Sequence, residues 1–123
     1  MLVVDDDEDS KLLVKSVFEK GGWTIATASD GAEALALLEK KEPTLILLDL
    51  MMPIMDGLEF TTTLRRNPQY AKIPIVVLTA KDITAEDRAR LAGGVKKVLH
   101  KGAITGQELL TELRQVIAAC EGN

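Results

Sequence analysis

Leu45-Ile-Leu-Leu-Asp49 decides how this chain folds: four aliphatic residues in succession, then a carboxylate. A strand with one wet face alternates apolar and polar side chains. An unbroken apolar run therefore reads as a strand buried on both faces of a parallel sheet. Ile75-Val-Val-Leu78 repeats the pattern, and Met1 to Val4 is a shorter apolar run of the same kind. Helical spacing fills the gaps. Residues 10–20 are apolar at 13, 14, 17 and 18 and stop at Gly21-Gly22. Asp30-Gly-Ala-Glu33 resembles a capping box opening a helix through Lys41, which Pro43 ends. Residues 58–66 and 85–91 predict two more helices. Thr105-Gly-Gln-Glu108 is a second capping box, followed by an apolar stripe at 109, 110, 113, 116, 117 and 120. Two further strands are expected, over 23–28, rich in aromatic and β-branched residues, and at Val98-Leu99.

The order is therefore five repeats of strand and helix, with no linker or low-complexity segment between them. Such alternation implies parallel pairing through right-handed crossovers, with helices on both faces of the sheet. The expected class is a doubly wound α/β domain over 1–123, its five strands in the order 2-1-3-4-5. Composition agrees with one globular unit: 123 residues, 46% hydrophobic and 28% charged. One cysteine provides neither an internal disulfide nor a cysteine-rich zinc site, which fits a reducing compartment. Asp49 and Pro53 interrupt the longest apolar stretches far short of a membrane span, and Asp5 to Asp9 stand where a signal peptide needs its apolar region. A cytoplasmic protein without membrane insertion is expected.

The net charge of −4 is local. Asp5, Asp6, Asp7, Glu8 and Asp9 hold five of the 19 acidic side chains, and the remainder of the chain is close to neutral. No basic stripe or aromatic platform is present, so direct nucleic-acid binding is not expected. In a sheet of this order, ligands bind beyond the carboxyl ends of the strands, between strands 1 and 3. Strand 1 ends at Asp5 and Asp6, and strand 3 ends at Asp49. Converging carboxylates repel one another unless a cation or proton neutralises them, and hard oxygen donors suit Mg²⁺, with Mn²⁺ as the alternative. The competing explanation has Asp7 or Asp9 capping the next helix, with the other acids solvated. Thr79 and Lys101 end strands 4 and 5 and bring a hydroxyl and an ammonium to the same edge. A carboxylate nucleophile, a hydroxyl and a cation beside a metal site are the parts that move a phosphoryl group.

Val3-Val-Asp-Asp-Asp, Leu47-Leu-Asp-Leu-Met-Met-Pro-Ile-Met-Asp-Gly57, Val77-Leu-Thr-Ala80 and His100-Lys101 resemble, in order and spacing, the receiver domain of two-component response regulators. The resemblance covers essentially the whole chain. It implies a flavodoxin-like fold and a phosphorelay switch in which Asp49 accepts a phosphoryl group from a phosphohistidine. The phosphodonor would be a sensor histidine kinase or a histidine phosphotransfer domain. By the same resemblance, Asp6, Asp49 and the Met51 carbonyl would bind Mg²⁺ directly, and Asp5 through water. Thr79 and the Ala80 amide would contact phosphoryl oxygens, and Lys101 would pair with the phosphate. An output domain or partner would be controlled through the fourth helix, fifth strand and fifth helix.

Two positions depart from the family pattern. Val98 stands where receivers usually carry an aromatic residue, so rotation of an aromatic side chain cannot report the phosphate. Gly102 stands where a proline after a cis peptide is usual, which is expected to loosen the loop holding Lys101. A Lys-Gly ending occurs among receivers attached to sensor kinases, and Met1 opening the first strand is compatible with an excised segment. Two rivals differ in class. A phosphohydrolase of the haloacid-dehalogenase kind needs a second aspartate two residues after the nucleophile, where this chain has Met51. A receiver-like binding module that no longer accepts phosphate would not need Asp5, Asp6, Asp49, Thr79 and Lys101 together. Other residues take simpler readings. His100 points away from the site, Lys96 and Lys97 are solvated, and Trp23 and Cys120 are packing residues. Met51, Met52 and Met55 shape access to Asp49.

Overall fold

A computed structural model of the chain describes residues 1–49, 57–80, 84–91 and 95–121. Met51, Met52, Met55 and the Cys120 side chain lie outside the described residues. The elements run β1 (Leu2–Val4), α1 (Glu8–Lys20), β2 (Ala26–Ala28), α2 (Gly31–Lys40), β3 (Ile46–Leu48), α3 (Gly57–Arg66), β4 (Ile75–Thr79), α4 (Ala85–Leu91), β5 (Lys97–His100) and α5 (Gly106–Glu121). A single 3₁₀ turn at Lys101–Ala103 joins β5 to α5. All strand pairs are parallel, in the order β2-β1-β3-β4-β5. The fold class is the one the unbroken aliphatic runs predict.

Period-two alternation splits those runs between two faces. Leu2, Val4, Ile46 and Leu48 pack with Ala34 and Leu38 of α2 and with Phe60 and Leu64 of α3. Val3, Leu45, Leu47, Val76 and Leu78 pack on the other side with Val14 and Phe18 of α1 and with Leu109, Leu113 and Val116 of α5. Val77 and Leu91 form a smaller cluster against which Val95 and Val98 are half-buried. The α1 and α5 helices lie close together: a Cβ built on Gly106 would sit 3.3 Å from Val17 Cγ2, a tight contact that a larger side chain would need Val17 to relieve.

Both capping boxes form, with one variation. Thr105 accepts from the Glu108 amide (3.2 Å), and Glu108 accepts in return from the Thr105 amide (3.1 Å). At α2 the Asp30 carboxylate accepts from the Glu33 amide (2.8 Å), but Glu33 reaches past the cap to the Ser29 amide (3.3 Å). A third box, Thr84 with Asp87, opens α4 and has no counterpart in the sequence expectation. It is also why Asp87 is buried.

Several expectations change at the edges. The second strand is only Ala26–Ala28, because Trp23 turns back onto α1. Its ring meets Phe18 edge to face at 5.4 Å and its amide donates to the Phe18 carbonyl. The first helix begins at Glu8 with Asp7 as its cap, whose carboxylate accepts from the Asp9 amide. Leu13, expected on the buried stripe, is 63% exposed, and Leu12 beside it is 64% exposed. Lys97 is not a free solvated cation but pairs with Glu112 of α5.

Candidate functional site

The central strands deliver their carboxylates by backbone pairing. The Asp49 amide donates to the Val4 carbonyl (2.9 Å) and the Asp5 amide to the Ala28 carbonyl (3.0 Å), which brings the ends of β1 and β3 level. Each follows aliphatics buried on both faces, so Asp5 and Asp49 are only 5% and 6% exposed, whereas Asp6 points to solvent. Oxygens from Asp5, Asp6 and Asp49 all lie within 4.8 Å of one another. Thr79 ends β4 fully buried at the same edge, and Ala80 follows it, exposed. Met51 lies outside the described residues.

Lys101 reaches this cluster from the turn after β5. Its Nζ donates to Asp5 Oδ2 at 2.7 Å, to Ser10 Oγ at 3.3 Å and to Asp49 Oδ2 at 3.5 Å. Burial disfavours the Lys101 ammonium. The hydrogen bond to Asp5 and the charges of Asp49 and Asp5 outweigh that penalty and leave its pKa above the ordinary lysine value. For Asp5 the balance falls the other way. Burial raises its pKa, the bonds from Lys101 and the Asp7 amide oppose the rise, and the Asp49 charge adds to it. Two buried acids with one ammonium leave a local negative excess, which a divalent cation with hard oxygen ligands would neutralise. The donor set fits Mg²⁺.

Sequence reasoning brought Asp5, Asp6, Asp49, Thr79 and Lys101 to one strand edge; the structure brings Asp5, Asp6, Asp49 and Lys101 together, with Thr79 at the end of β4. It missed Ser10, whose hydroxyl donates to Asp7 Oδ2 (2.9 Å) while accepting from Lys101. It also missed Lys11, which is buried and bonded to Ser29 Oγ (2.6 Å) and Glu8 Oε1 (2.8 Å), tying α1 to the loop before α2. A lysine two residues beyond the acidic run was the available signal. His100 is exposed, and its Nδ1 accepts from the Gly102 amide (3.1 Å) to cap the 3₁₀ turn. Gly102 has no positive φ, and an added Cβ would make only ordinary 3.4 Å contacts with the His100 ring. The turn holding Lys101 therefore does not depend on glycine's conformational freedom.

Comparison with known proteins agrees with this geometry. The family model described as response regulator receiver domain matches residues 1–116. The alkaline phosphatase synthesis transcriptional regulatory protein PhoP of Bacillus subtilis (strain 168) is 46% identical over 82 residues, covering 67% of this chain and 33% of that protein. Response regulator MprA of Mycobacterium sp. (strain KMS) is 37% identical over 117 residues, covering 95% of this chain and 50% of that protein. The chain thus spans half or less of the length of these relatives. Among solved structures, chemotaxis protein CheY4 of Vibrio cholerae superposes with a TM-score of 0.85 at 34% identity, covering 94% of this chain and 95% of that one. The signal receiver domain of a signal transduction histidine kinase from Syntrophus aciditrophicus gives a TM-score of 0.85 at 26% identity, covering 96% and 89%. With its strand order, its acidic edge and its lysine in place, the chain belongs to the response regulator receiver domains, the phosphorelay switches of two-component systems.

Proposed function

We propose that Asp49 accepts a phosphoryl group from the phosphohistidine of a sensor histidine kinase or histidine phosphotransfer domain. A carboxylate oxygen of Asp49 attacks phosphorus, the P–N bond breaks, and its electron pair leaves on the imidazole, which takes up a proton. By the family resemblance, Asp6, Asp49 and the Met51 carbonyl would hold Mg²⁺, with Asp5 acting through water, and the ion would supply charge neutralisation at the phosphoryl oxygens. Thr79 and the Ala80 amide contact those oxygens, and Lys101 transfers its ammonium from Asp5 to the phosphate. The chain is then the substrate of a kinase and at most the catalyst of its own phosphorylation and dephosphorylation.

The observation that carries this reading is the convergence of three carboxylates within 4.8 Å, two of them, Asp5 and Asp49, in reach of a lysine that arrives from the far end of the sequence. Movement of Thr79 and Lys101 would shift the populations of α4, β5 and α5, the proposed output surface. Val98, half-buried against Val77 and Leu91, carries no ring that could report the change. Among the described residues no helix is long and apolar enough to cross a membrane. A cytoplasmic site of action goes with this reading, as does control of an output domain or partner without direct nucleic-acid contact by these residues.

Intact-protein mass spectrometry after incubation with acetyl phosphate tests the assignment. One added phosphoryl group is expected with Mg²⁺ and none without it. Asp49→Asn should remove the adduct while leaving the far-ultraviolet circular dichroism unchanged, and labelling that persists in Asp49→Asn would sink the assignment. Asp6→Ala should raise the Mg²⁺ concentration needed for half-maximal labelling, and an unchanged requirement would move the metal elsewhere.

A further inference from the structure

The acidic run at the start of α1 is followed by a hydroxyl, Ser10, that touches Lys101. Ser10 Oγ lies 3.3 Å from Lys101 Nζ and 2.9 Å from Asp7 Oδ2. Asp7 is the cap of α1, its other oxygen accepting from the Asp9 amide at 3.1 Å. A carboxylate only accepts, so the Ser10 proton must point at Asp7, and the hydroxyl lone pairs are left facing the ammonium. An ammonium has three N–H donors. Here one meets Asp5 at 2.7 Å, one meets Ser10, and the third faces Asp49 at a longer 3.5 Å. Removing the Ser10 hydroxyl takes away one of these three acceptors and leaves Lys101 with its 2.7 Å bond to Asp5 and its longer 3.5 Å approach to Asp49.

Building on the reading of Asp49 as phosphoacceptor, we propose that Ser10 is a positioning residue that holds the Lys101 ammonium between Asp5 and Asp49. Its orientation is set by the α1 cap. The helix start and the site lysine are thereby linked through one hydroxyl, across 91 residues of sequence. Ser10 would act through its contact with Lys101.

The test is a double-mutant cycle on the rate of acetyl phosphate labelling at saturating Mg²⁺, in the wild type, Ser10→Ala, Lys101→Met and the double variant. Ser10→Ala is expected to slow labelling roughly three- to tenfold, the scale of one net hydrogen bond. Ser10→Thr, which restores the hydroxyl, should recover most of the rate. In the Lys101→Met background, Ser10→Ala should change nothing further. A helix-start role alone would slow both backgrounds equally, and that result overturns the proposal, as does a Ser10→Ala rate equal to wild type. A wild-type chain that takes no label at Asp49 overturns the phosphoacceptor reading itself, and this inference falls with it.

Discussion

The centre of the sheet and its β5 edge prepare their functional side chains in different ways. In β1, β3 and β4 every residue is buried, and the strands run straight into Asp5, Asp49 and Thr79. Those side chains are placed by packing on both sides and by backbone pairing, with little freedom left. Residues 97–99 of β5 are only half-buried and His100 is exposed. Lys101 reaches the centre through a long flexible stem and three polar contacts. Packing fixes Asp49, and electrostatics fix Lys101. The difference teaches that the two regions position side chains by different means: the central strands by burial on both faces, and the β5 edge by a flexible stem held by polar contacts.

The comparison can be broken first at the centre. Leu48→Ala removes a fully buried side chain immediately before Asp49 and should cost about 2–5 kcal/mol of stability, read as a lower urea midpoint with an unchanged slope. A loss below 1 kcal/mol would mean that the central strands are not the rigid part.

A smaller effect, of opposite sign, is expected where the two regions meet. Asp5 has a pKa raised by burial even after the Lys101 bond is counted. A raised acid contributes to stability only at pH below its unfolded value, and the contribution is lost as pH rises through the folded value. Once ionised, and without Mg²⁺, Asp5 therefore costs the fold stability. Asp5→Asn should raise the urea midpoint at pH 7, and the gain should shrink as pH falls toward 4. Lys101 works in the other window. Its raised pKa stabilises the fold at neutral pH, and that contribution fades only as pH climbs past the ordinary lysine range. A stability profile in which Asp5→Asn gains nothing at pH 7 would show that Lys101 fully compensates the buried acid.

The smallest effect belongs to the outer edge. Lys97 and Glu112 form a partly exposed ion pair between β5 and α5. Lys97→Met should change stability by about 0–1 kcal/mol, and less in high salt. A change as large as that of Leu48→Ala would erase the distinction between centre and edge.

What the sequence made legible follows the same division. The runs 45–48 and 75–78 declare themselves because burial on both faces leaves no polar position, and the Asp that ends the first is conspicuous for the same reason. Topology then locates Asp5, Thr79 and Lys101 with no side-chain detail needed. The illegible features depend on which distant groups happen to meet. Ser10 and Lys101 touch across 91 residues, and Lys11 finds Ser29 across 18. Lys97 of β5 finds Glu112 of α5 across 15 residues. The shortened β2 is an edge effect: Trp23 gains more by closing over Phe18 than by extending an exposed strand. Leu12 and Leu13 show the limit of periodicity, which marks a helix without saying which of its apolar residues the core will take.

The bond between Lys101 and Asp5 joins residues 96 apart, nearly the full reach of the chain. Contacts of such separation require a large loop to close before they return any energy, so they form late in folding. During synthesis the acidic pair and Asp49 emerge long before the lysine does. A nascent or partly folded chain therefore carries the Asp49 carboxylate without Lys101. Under the proposed function, competence to receive a phosphoryl group would arise with the docking of β5, and a kinase would meet a responsive substrate only once β5 is in place.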